Sequence, residues 1–254
     1  MKISPITSEF LDSEKNPIRR YGGKDSDGYR YFANDFLPIR KRHWLSIWFQ
    51  AAPIIMMSDV HSVLEFGGGR DITRSLVRHF GIEYKSVDIS DRFFPDTQSS
   101  IIDYPFDGKT FDLVCSFECL EHNPWDETVK LIAHMIRFTH RYLYLSVPYN
   151  GGWFSFSFSL RLPKIHWEKC FYLVRDRLGG GRIDVASLKK RPLERKHSAH
   201  WWELGRRSGL SRRQFVETIE KMGFKLLSSQ HNPLFPMHLF LLFELEPSGG
   251  GGGG

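Results

Sequence analysis

Apolar positions in the middle of the chain alternate between short continuous runs and stripes at helical spacing. A short apolar run bounded by turn residues is typical of a buried strand, and a three-to-four-residue repeat is typical of an amphipathic helix. The pattern predicts strands near 62–66, 83–87, 112–116 and 142–147, and helices near 71–80 and 125–138. Strands and helices that alternate in this way predict an α/β fold with a parallel, doubly wound sheet.

The last part of the chain has a different pattern. Ser211 to Met222 shows helical spacing and is followed by Gly223, a residue type that is common just past a helix end. Phe224 to Ser229 and His238 to Leu245 are two apolar segments separated by a short turn-forming stretch. Two strands with so short a connection pair antiparallel, so the sequence predicts a hairpin at one edge of the sheet.

The segment before the first strand predicts an arm and a helix. Residues 1–36 are polar and rich in turn signals. Ile39 to Met57 has apolar residues at helical spacing and should pack on the sheet, with a kink at Pro53.

A second segment, 151–205, interrupts the core and predicts a helical insertion. From Trp167 to Leu178 its apolar residues lie on one helical stripe, and Lys and Arg side chains surround that stripe over 164–178. Two interpretations stay open: a lid helix packed on the core, or a basic amphipathic helix in peripheral contact with an anionic membrane.

These patterns divide the chain into five segments. They are an arm and packing helix (1–58), a core (59–150), an insertion (151–205), a C-terminal helix and hairpin (206–247) and a Ser/Gly tail (248–254).

The composition indicates a cellular compartment but does not identify a binding partner. The 254 residues carry a net charge of +6, which permits an anionic partner without naming one. Cys115, Cys119 and Cys170 form no C-x-x-C pair, which disfavours a zinc site or a disulfide framework, and no metal site is expected. No apolar run typical of a signal peptide or a membrane span occurs, so a cytoplasmic location is expected.

The glycine run that follows the first predicted strand indicates a nucleoside site. Val63 to Phe66 is followed at once by Gly67 to Gly69, a helix pattern comes next, and Asp88 ends the following apolar run. Glycine lets the backbone approach a ligand, a helix N-terminus offers N–H groups, and a strand-end acid can accept from two ribose hydroxyls. Ile72 occupies the position where a dinucleotide fingerprint needs a small residue, which disfavours NAD and FAD.

Glu65-Phe66-Gly67-Gly68-Gly69 resembles the E/D-x-G-x-G signature of class I S-adenosylmethionine-dependent methyltransferases. Three later segments resemble the same family in order: 84–90, 103–114 and 117–122. The matches cover about residues 60–150. The resemblance implies a Rossmann-like, mostly parallel seven-stranded sheet with an antiparallel C-terminal hairpin, and it implies S-adenosylmethionine as the cofactor.

The resemblance also implies which residues hold the cofactor. Asp88 corresponds to the family's ribose-binding acid and Asp103 to its adenine-side acid. Asp71 stands where the family often has a further glycine, and it either caps the next helix or repels the methionine carboxylate of the cofactor. The full set is Glu65, Gly67, Gly68, Gly69, Asp88, Ile89, Asp103, Tyr104 and Phe117.

Acceptor residues are expected after the fourth and fifth strands. His122 is the candidate catalytic base, because imidazole titrates near neutral pH, and the alternative is that it only fixes its loop. His200-Trp201-Trp202-Glu203-Leu204-Gly205 resembles a stretch of some bacterial methyltransferases encoded with surface-polysaccharide genes. If this stretch is helical, His200 and Glu203 share a face that suits a sugar or lipid headgroup, and the alternative is a hydrophobic anchor with a capping acid. The substrate set is Tyr149, Trp153, His200, Trp201 and Glu203.

The expected function is methyl transfer to a small molecule, a hydroxyl of a saccharide or lipid-linked glycan. A quinone-like or other lipid acceptor, a non-catalytic binding module and an RNA-binding methyltransferase are the alternatives. No D-P-P-Y segment follows the fourth strand, which disfavours DNA base methylation, and nucleic acid is a disfavoured partner.

Overall fold

The computed structural model describes residues 41–68, 71–91, 94–151, 153–162, 165–174, 200–205 and 210–247. Of residue 71 and of 153–162 and 165–174 only the backbone is described. The helices are α1 (Lys41–Met56), α2 (Asp71–His79), α3 (Trp125–Met135) and α4 (Arg212–Glu220). The strands are β1 (Ser62–Phe66), β2 (Glu83–Asp88), β3 (Thr97–Gln98), β4 (Phe111–Phe117), β5 (Thr139–Pro148), β6 (Trp153–Leu162), β7 (Ile165–Val174), β8 (Phe224–Asn232) and β9 (Phe235–Leu245).

Seven of these strands form one sheet in the order β3-β2-β1-β4-β5-β9-β8. The pairings from β3 to β5 are parallel, and β9 pairs antiparallel with both β5 and β8. The predicted mostly parallel seven-stranded sheet with a C-terminal hairpin is therefore confirmed. Because β1 lies between β2 and β4, strand order reverses there, and this reversal opens a crevice at the carboxyl ends of the two strands.

The sheet is buried on both faces because successive side chains of each strand point in opposite directions. Leu64 and Phe66 enter an apolar cluster that also contains side chains of α3 and α4. Val63 enters a second cluster with side chains of α1 and α2. Each such fully buried side chain stabilises the fold by about 1.5–3 kcal/mol. Because both faces of the sheet are buried, its central strands are rich in apolar residues on both faces.

Helix α1 packs on the sheet as predicted. Its Phe49 ring stacks on Phe240 of β9 with a centroid distance of 5.3 Å. Pro53 lies inside the helix, which runs on to Met56. The arm predicted over 1–36 lies outside the described residues.

Helix α4 has the ends that its sequence predicts. Ser211 accepts a hydrogen bond from the backbone of Gln214, and the Gln214 side chain accepts from the backbone of Ser211. This reciprocal cap fixes the helix start. Gly223 follows the helix with a φ of +92°, a conformation that glycine adopts without steric cost.

The helix predicted from Trp167 to Leu178 is wrong over the residues that the structure describes, and residues 175–178 lie outside them. Residues 153–162 and 165–174 form an antiparallel two-stranded sheet, β6 paired with β7 from Trp153↔Val174 to Leu162↔Ile165. From Phe154 to Leu162, aromatic and aliphatic residues alternate with serine and arginine, and this period of two is the pattern of a strand. The amphipathic helix that suggested membrane contact is therefore absent from the described part of the insertion. None of the helices in the described ranges has both the length and the apolar character that a membrane span needs.

Candidate active site

The first glycine loop lies at the carboxyl end of β1. The Gly67 N–H donates to the Val87 carbonyl (2.8 Å), so the loop starts directly beside the end of β2. Gly67 has a φ of +75°, and a Cβ built on it would lie 2.3 Å from Cys119 Sγ. A Cβ on Gly68 would lie 3.0 Å from Glu65 Oε2. Close packing and a positive φ therefore require glycine at Gly67, whereas a Cβ at Gly68 would have to displace the neighbouring side chains by a few tenths of an ångström. Gly69 lies outside the described residues.

Asp88 lies where the family resemblance requires a ribose-binding acid, at the end of β2. Its side chain is buried, and Oδ1 accepts a hydrogen bond from the Ser90 N–H (2.8 Å). Ile89, the next residue, is 73% exposed. An acid held at a strand end beside an exposed aliphatic side chain fits the hydroxyl and base parts of a nucleoside.

Asp103 and Tyr104 lie on opposite sides of their backbone. Asp103 is exposed, and its carboxylate accepts a hydrogen bond from Ser100 Oγ. Tyr104 is buried, with its ring edge-on to Phe66 (5.7 Å between centroids) and near Phe138. The Tyr104 ring is therefore part of the core, and only its backbone remains for the predicted contact with a cofactor.

The chain turns sharply where β4 ends. Phe117 is buried against Tyr144, with ring centroids 5.3 Å apart, so its side chain belongs to the core as well. Glu118 has a φ of +49°, a conformation that is uncommon for any residue with a Cβ. Its N–H donates to the Ser146 carbonyl, and its Oε1 accepts from Ser146 Oγ (2.9 Å). Strained backbone of this kind is concentrated at functional sites.

The turn after β4 brings two acidic side chains and a histidine to the same place. Burial and the negative charge of Glu121 raise the pKa of Glu118 well above its ordinary value. Burial, together with the charge of Glu203, raises the pKa of Glu121 to about 8. His122, the predicted base, is exposed, and its ring lies edge-on to His200 with centroids 5.2 Å apart.

The stretch from His200 to Gly205 is not helical, which corrects the conditional helix, and it bends at Trp201 and Gly205. His200 and Glu203 meet all the same, with Nδ1 and Oε1 3.3 Å apart. The Trp201 N–H donates to the Glu121 carbonyl (2.8 Å), so this stretch lies directly against the turn after β4. The Trp201 ring is 69% exposed, and the predicted substrate residues His200, Trp201 and Glu203 are therefore brought together with His122.

Trp202 performs the anchoring role that was the alternative for this stretch. It is buried, its Nε1 donates to Thr128 Oγ1 (3.1 Å), and its ring lies edge-on to Trp125. Tyr149 is also buried, with its ring 4.7 Å from that of His231, so its side chain is in the core rather than on a pocket wall. The Trp153 side chain lies outside the described residues.

Two glutamates at this edge lie within the segment 117–122 that resembles the family, but neither was among the predicted site residues. Glu118 and Glu121 lie three positions apart, just before His122. Two acids followed by a histidine directly after a strand would have been a usable signal, because carboxyl ends of parallel strands line the ligand crevice. His238, whose Nε2 lies 3.7 Å from Glu118 Oε2, was not identifiable because it comes from β9.

Comparisons with known proteins agree with this geometry. A family model described as a methyltransferase domain matches residues 36–229. The N-methyltransferase NodS of Bradyrhizobium japonicum WM9, solved with S-adenosyl-L-homocysteine, is 11% identical with a TM-score of 0.53, covering 91% of this chain and 97% of its own. No curated protein matches the chain.

Two further solved structures are similar over most of their length. The magnesium protoporphyrin IX methyltransferase of Synechocystis PCC 6803, solved with bound SAM, is 13% identical with a TM-score of 0.51, covering 94% of both chains. The 1,6-didemethyltoxoflavin-N1-methyltransferase of Burkholderia thailandensis is 12% identical with a TM-score of 0.52, covering 91% of this chain and 88% of its own. At these identities the likeness shows a shared fold.

Proposed function

The chain belongs to the methyltransferase-domain family, and from this membership we propose an S-adenosylmethionine-dependent enzyme that methylates a hydroxyl of a saccharide or lipid-linked glycan. The observation that carries the proposal is the convergence of four segments at one crevice. The segments that meet there are the glycine loop after β1, Asp88 after β2, the turn at Glu118–His122 after β4 and the stretch at 200–203. The first two segments suit a nucleoside, and the last two provide groups for an acceptor.

The residues of the nucleoside side fit the cofactor in shape and charge. The packing of Gly67 against Cys119 leaves no room for a larger side chain, and Gly68 lies close to Glu65. The Asp88 carboxylate is a charged acceptor, and each hydrogen bond from a ribose hydroxyl would contribute about 1.5–3 kcal/mol. Ile89 and Asp103 would then lie on the adenine side, as the family resemblance implies.

S-adenosylmethionine, when bound, would supply an activated methyl group. As the acceptor oxygen bonds to the methyl carbon, the carbon–sulfur bond would break and its electron pair would stay on sulfur. The protein has to orient that oxygen in line, exclude water and take the hydroxyl proton. His122 is exposed at the acceptor side and carries an imidazole, the commonest proton acceptor of enzymes. We propose that the His122 ring, which lies beside His200, accepts the proton of the acceptor hydroxyl.

Support for a sugar acceptor comes from the side chains around His122. The exposed Trp201 ring offers a flat apolar face, and His200 and Glu203 offer polar groups within the same stretch. A ring face beside hydrogen-bonding groups is how a polyhydroxylated ligand is oriented in a pocket. The solved relatives named above act on a porphyrin and on 1,6-didemethyltoxoflavin, so they favour a small acceptor without favouring one chemistry.

The proposal is tested by following the methyl label. Methyl-labelled S-adenosylmethionine would be incubated with four acceptor classes: soluble saccharides, polyprenyl-linked glycans, quinols and RNA. We expect label in the glycan hydroxyls, and we expect His122→Ala to lower kcat by about 10²–10⁴-fold. His79→Ala, which removes an exposed histidine at the end of α2, should leave kcat unchanged.

Label in the quinols or in RNA instead would show that the acceptor class is wrong. A protein that binds S-adenosylhomocysteine but labels none of the four classes would support a binding module. Equal kcat values for the wild type and His122→Ala, with a glycan as acceptor, would remove the base role from His122.

A further inference from the structure

Three potential metal ligands from two distant parts of the chain meet on the acceptor side of the crevice. Glu121, His122 and His200 each offer one ligand atom, and these atoms lie within 4.8 Å of one another. Ligand atoms on one ion with bonds near 2.1 Å lie roughly 3–3.4 Å apart, so small side-chain rotations would suffice for coordination. We propose that these three residues bind one divalent transition-metal cation.

The Glu121 carboxylate is the observation that points to a ligand. Glu121 is 0% exposed, and within the described ranges neither carboxylate oxygen has a hydrogen-bond partner. Its Oε1 faces His200 Nε2 at 3.9 Å, a separation too long for a hydrogen bond. A buried carboxylate is costly unless it is protonated, paired or bound to a metal, and a cation between this oxygen and this nitrogen would let Glu121 carry its charge.

Glu203 orients the His200 ring for coordination. Its Oε1 lies 3.3 Å from His200 Nδ1, on the side of the ring opposite to Glu121. A histidine that donates from one ring nitrogen to a carboxylate presents the lone pair of the other nitrogen, which is the usual arrangement behind a metal-binding histidine. Glu203 is thus a positioning residue for the metal site.

The two ligand-bearing segments are joined by hydrogen bonds that do not depend on an ion. The Trp201 N–H donates to the Glu121 carbonyl at 2.8 Å. The Trp202 indole donates to Thr128 Oγ1 at 3.1 Å, and that hydroxyl donates to the Leu120 carbonyl at 3.1 Å. Ligands held on segments fixed in this way form a preorganised site.

The ligand set indicates the class of ion. Two imidazole nitrogens and one carboxylate oxygen suit Zn²⁺, Co²⁺ or Fe²⁺, whereas Mg²⁺ and Ca²⁺ prefer oxygen ligands. Three protein ligands leave coordination positions open for an acceptor oxygen, whose bound hydroxyl would release its proton to water more readily. This role rests on the proposed function, and in the cation-bound protein His122 would act as a ligand rather than as the proton acceptor.

Cation binding can be measured without any acceptor. The untagged full chain, freed of metal by a chelator, would be titrated with Co²⁺ while the visible absorption of the cobalt is recorded, and Zn²⁺ would then be added as a competitor. We expect one Co²⁺ per chain, displaced by Zn²⁺ and not by Mg²⁺. His200→Ala should weaken binding by more than about 100-fold, Glu203→Gln by about 10–100-fold, and His79→Ala by less than about twofold.

Two results would overturn the proposal. One is the absence of a saturable cobalt spectrum in the wild type, and the other is equal Co²⁺ binding by the wild type, His200→Ala and Glu203→Gln. The first would mean that Glu121, His122 and His200 hold no cation, and the second would mean that the cation binds elsewhere on the chain. Binding of S-adenosylhomocysteine, measured on the same preparations, separates this failure from failure of the proposed function, because the nucleoside side does not use these ligands.

Discussion

Replacing Gly67 by alanine should destabilise the protein through two separate effects at the end of β1. The first is conformational, because a residue with a Cβ at a φ of +75° costs about 1–2 kcal/mol. The second is steric, because the new Cβ would lie 2.3 Å from Cys119 Sγ and 2.6 Å from Cys119 Cβ. Rotation of the Cys119 side chain relieves the first contact but not the second, so the backbone of one loop must move.

Overpacking of this kind costs about 1–3 kcal/mol. The total for Gly67→Ala is therefore about 2–5 kcal/mol, a large fraction of the roughly 5–15 kcal/mol by which a domain is stable. Gly108→Ala is the matched control, since Gly108 has a φ of +91° but no atom within 4 Å of a built Cβ. The control should cost only the conformational part, about 1–2 kcal/mol.

Urea unfolding of the three proteins, followed by circular dichroism, measures both costs. We expect Gly67→Ala to unfold at a clearly lower urea concentration than Gly108→Ala, and to bind S-adenosylhomocysteine more weakly because its loop has moved. Equal unfolding midpoints for the two variants would refute the steric argument. A Gly67→Ala protein as stable as the wild type would refute both parts.

Two further predictions concern stability away from the glycine loop. Trp202→Ala should lower the free energy of unfolding by about 3–5 kcal/mol, because Trp202 is buried. Trp201→Ala, at the exposed neighbour, should change it by less than about 0.5 kcal/mol, and a similar loss in both variants would contradict the anchoring role of Trp202. Asp112 Oδ2 accepts from the His61 N–H and from the Ser62 N–H and hydroxyl, and although burial alone would raise the pKa of Asp112, these hydrogen bonds lower it. Stability from a lowered pKa is present above the unfolded value of about 3.9 and is lost as pH falls through the folded value. The free energy of unfolding of the wild type should therefore exceed that of Asp112→Asn by about 1–2 kcal/mol at pH 7, and this difference should shrink as pH falls below the unfolded value. A difference that stays constant on acidification would contradict this origin.

The sequence was sufficient wherever local pattern decides structure. The glycine loop and Asp88 lie at strand ends because β1 and β2 are short segments that contain apolar residues and are bounded by glycine and polar residues, which is typical of strands in an alternating α/β chain. Strand β3 was not predicted, because Thr97 and Gln98 are two residues without apolar character and pair only through their neighbour β2. Pairing with β2, and not the local sequence, makes these two residues a strand.

The insertion shows the opposite case. Apolar residues from Trp167 onward match a helical stripe. Trp167, Phe171 and Val174 of that stripe lie in β7, because β6, with its period of two, pairs with β7 along ten positions. Cross-strand pairing overrides a local pattern when the partner strand lies nearby in sequence. The helical interpretation considered one segment without its partner.

The acceptor side could be predicted only in part. His122, His200 and Glu203 were singled out by residue type, but the approach of His200 to Glu121 depends on a backbone hydrogen bond between Trp201 and Glu121. That contact is fixed by the packing of Trp202 on α3 and not by any spacing along the chain. The family resemblance assigned Tyr104 and Phe117 to the cofactor, and its position after the fifth strand assigned Tyr149 to the substrate, but the structure buries all three rings.

Calorimetric titration with S-adenosylhomocysteine tests the central claim most directly. The wild type should bind one equivalent. Asp88→Asn keeps an acceptor for the Ser90 N–H but removes the charge. It should bind about 10²–10⁴-fold more weakly, because two charged hydrogen bonds of about 1.5–3 kcal/mol each are lost. Asp91→Asn, at an exposed acid three positions away, should bind like the wild type. No binding by the wild type, or equal binding by the wild type and Asp88→Asn, would contradict the assignment of this crevice to the cofactor.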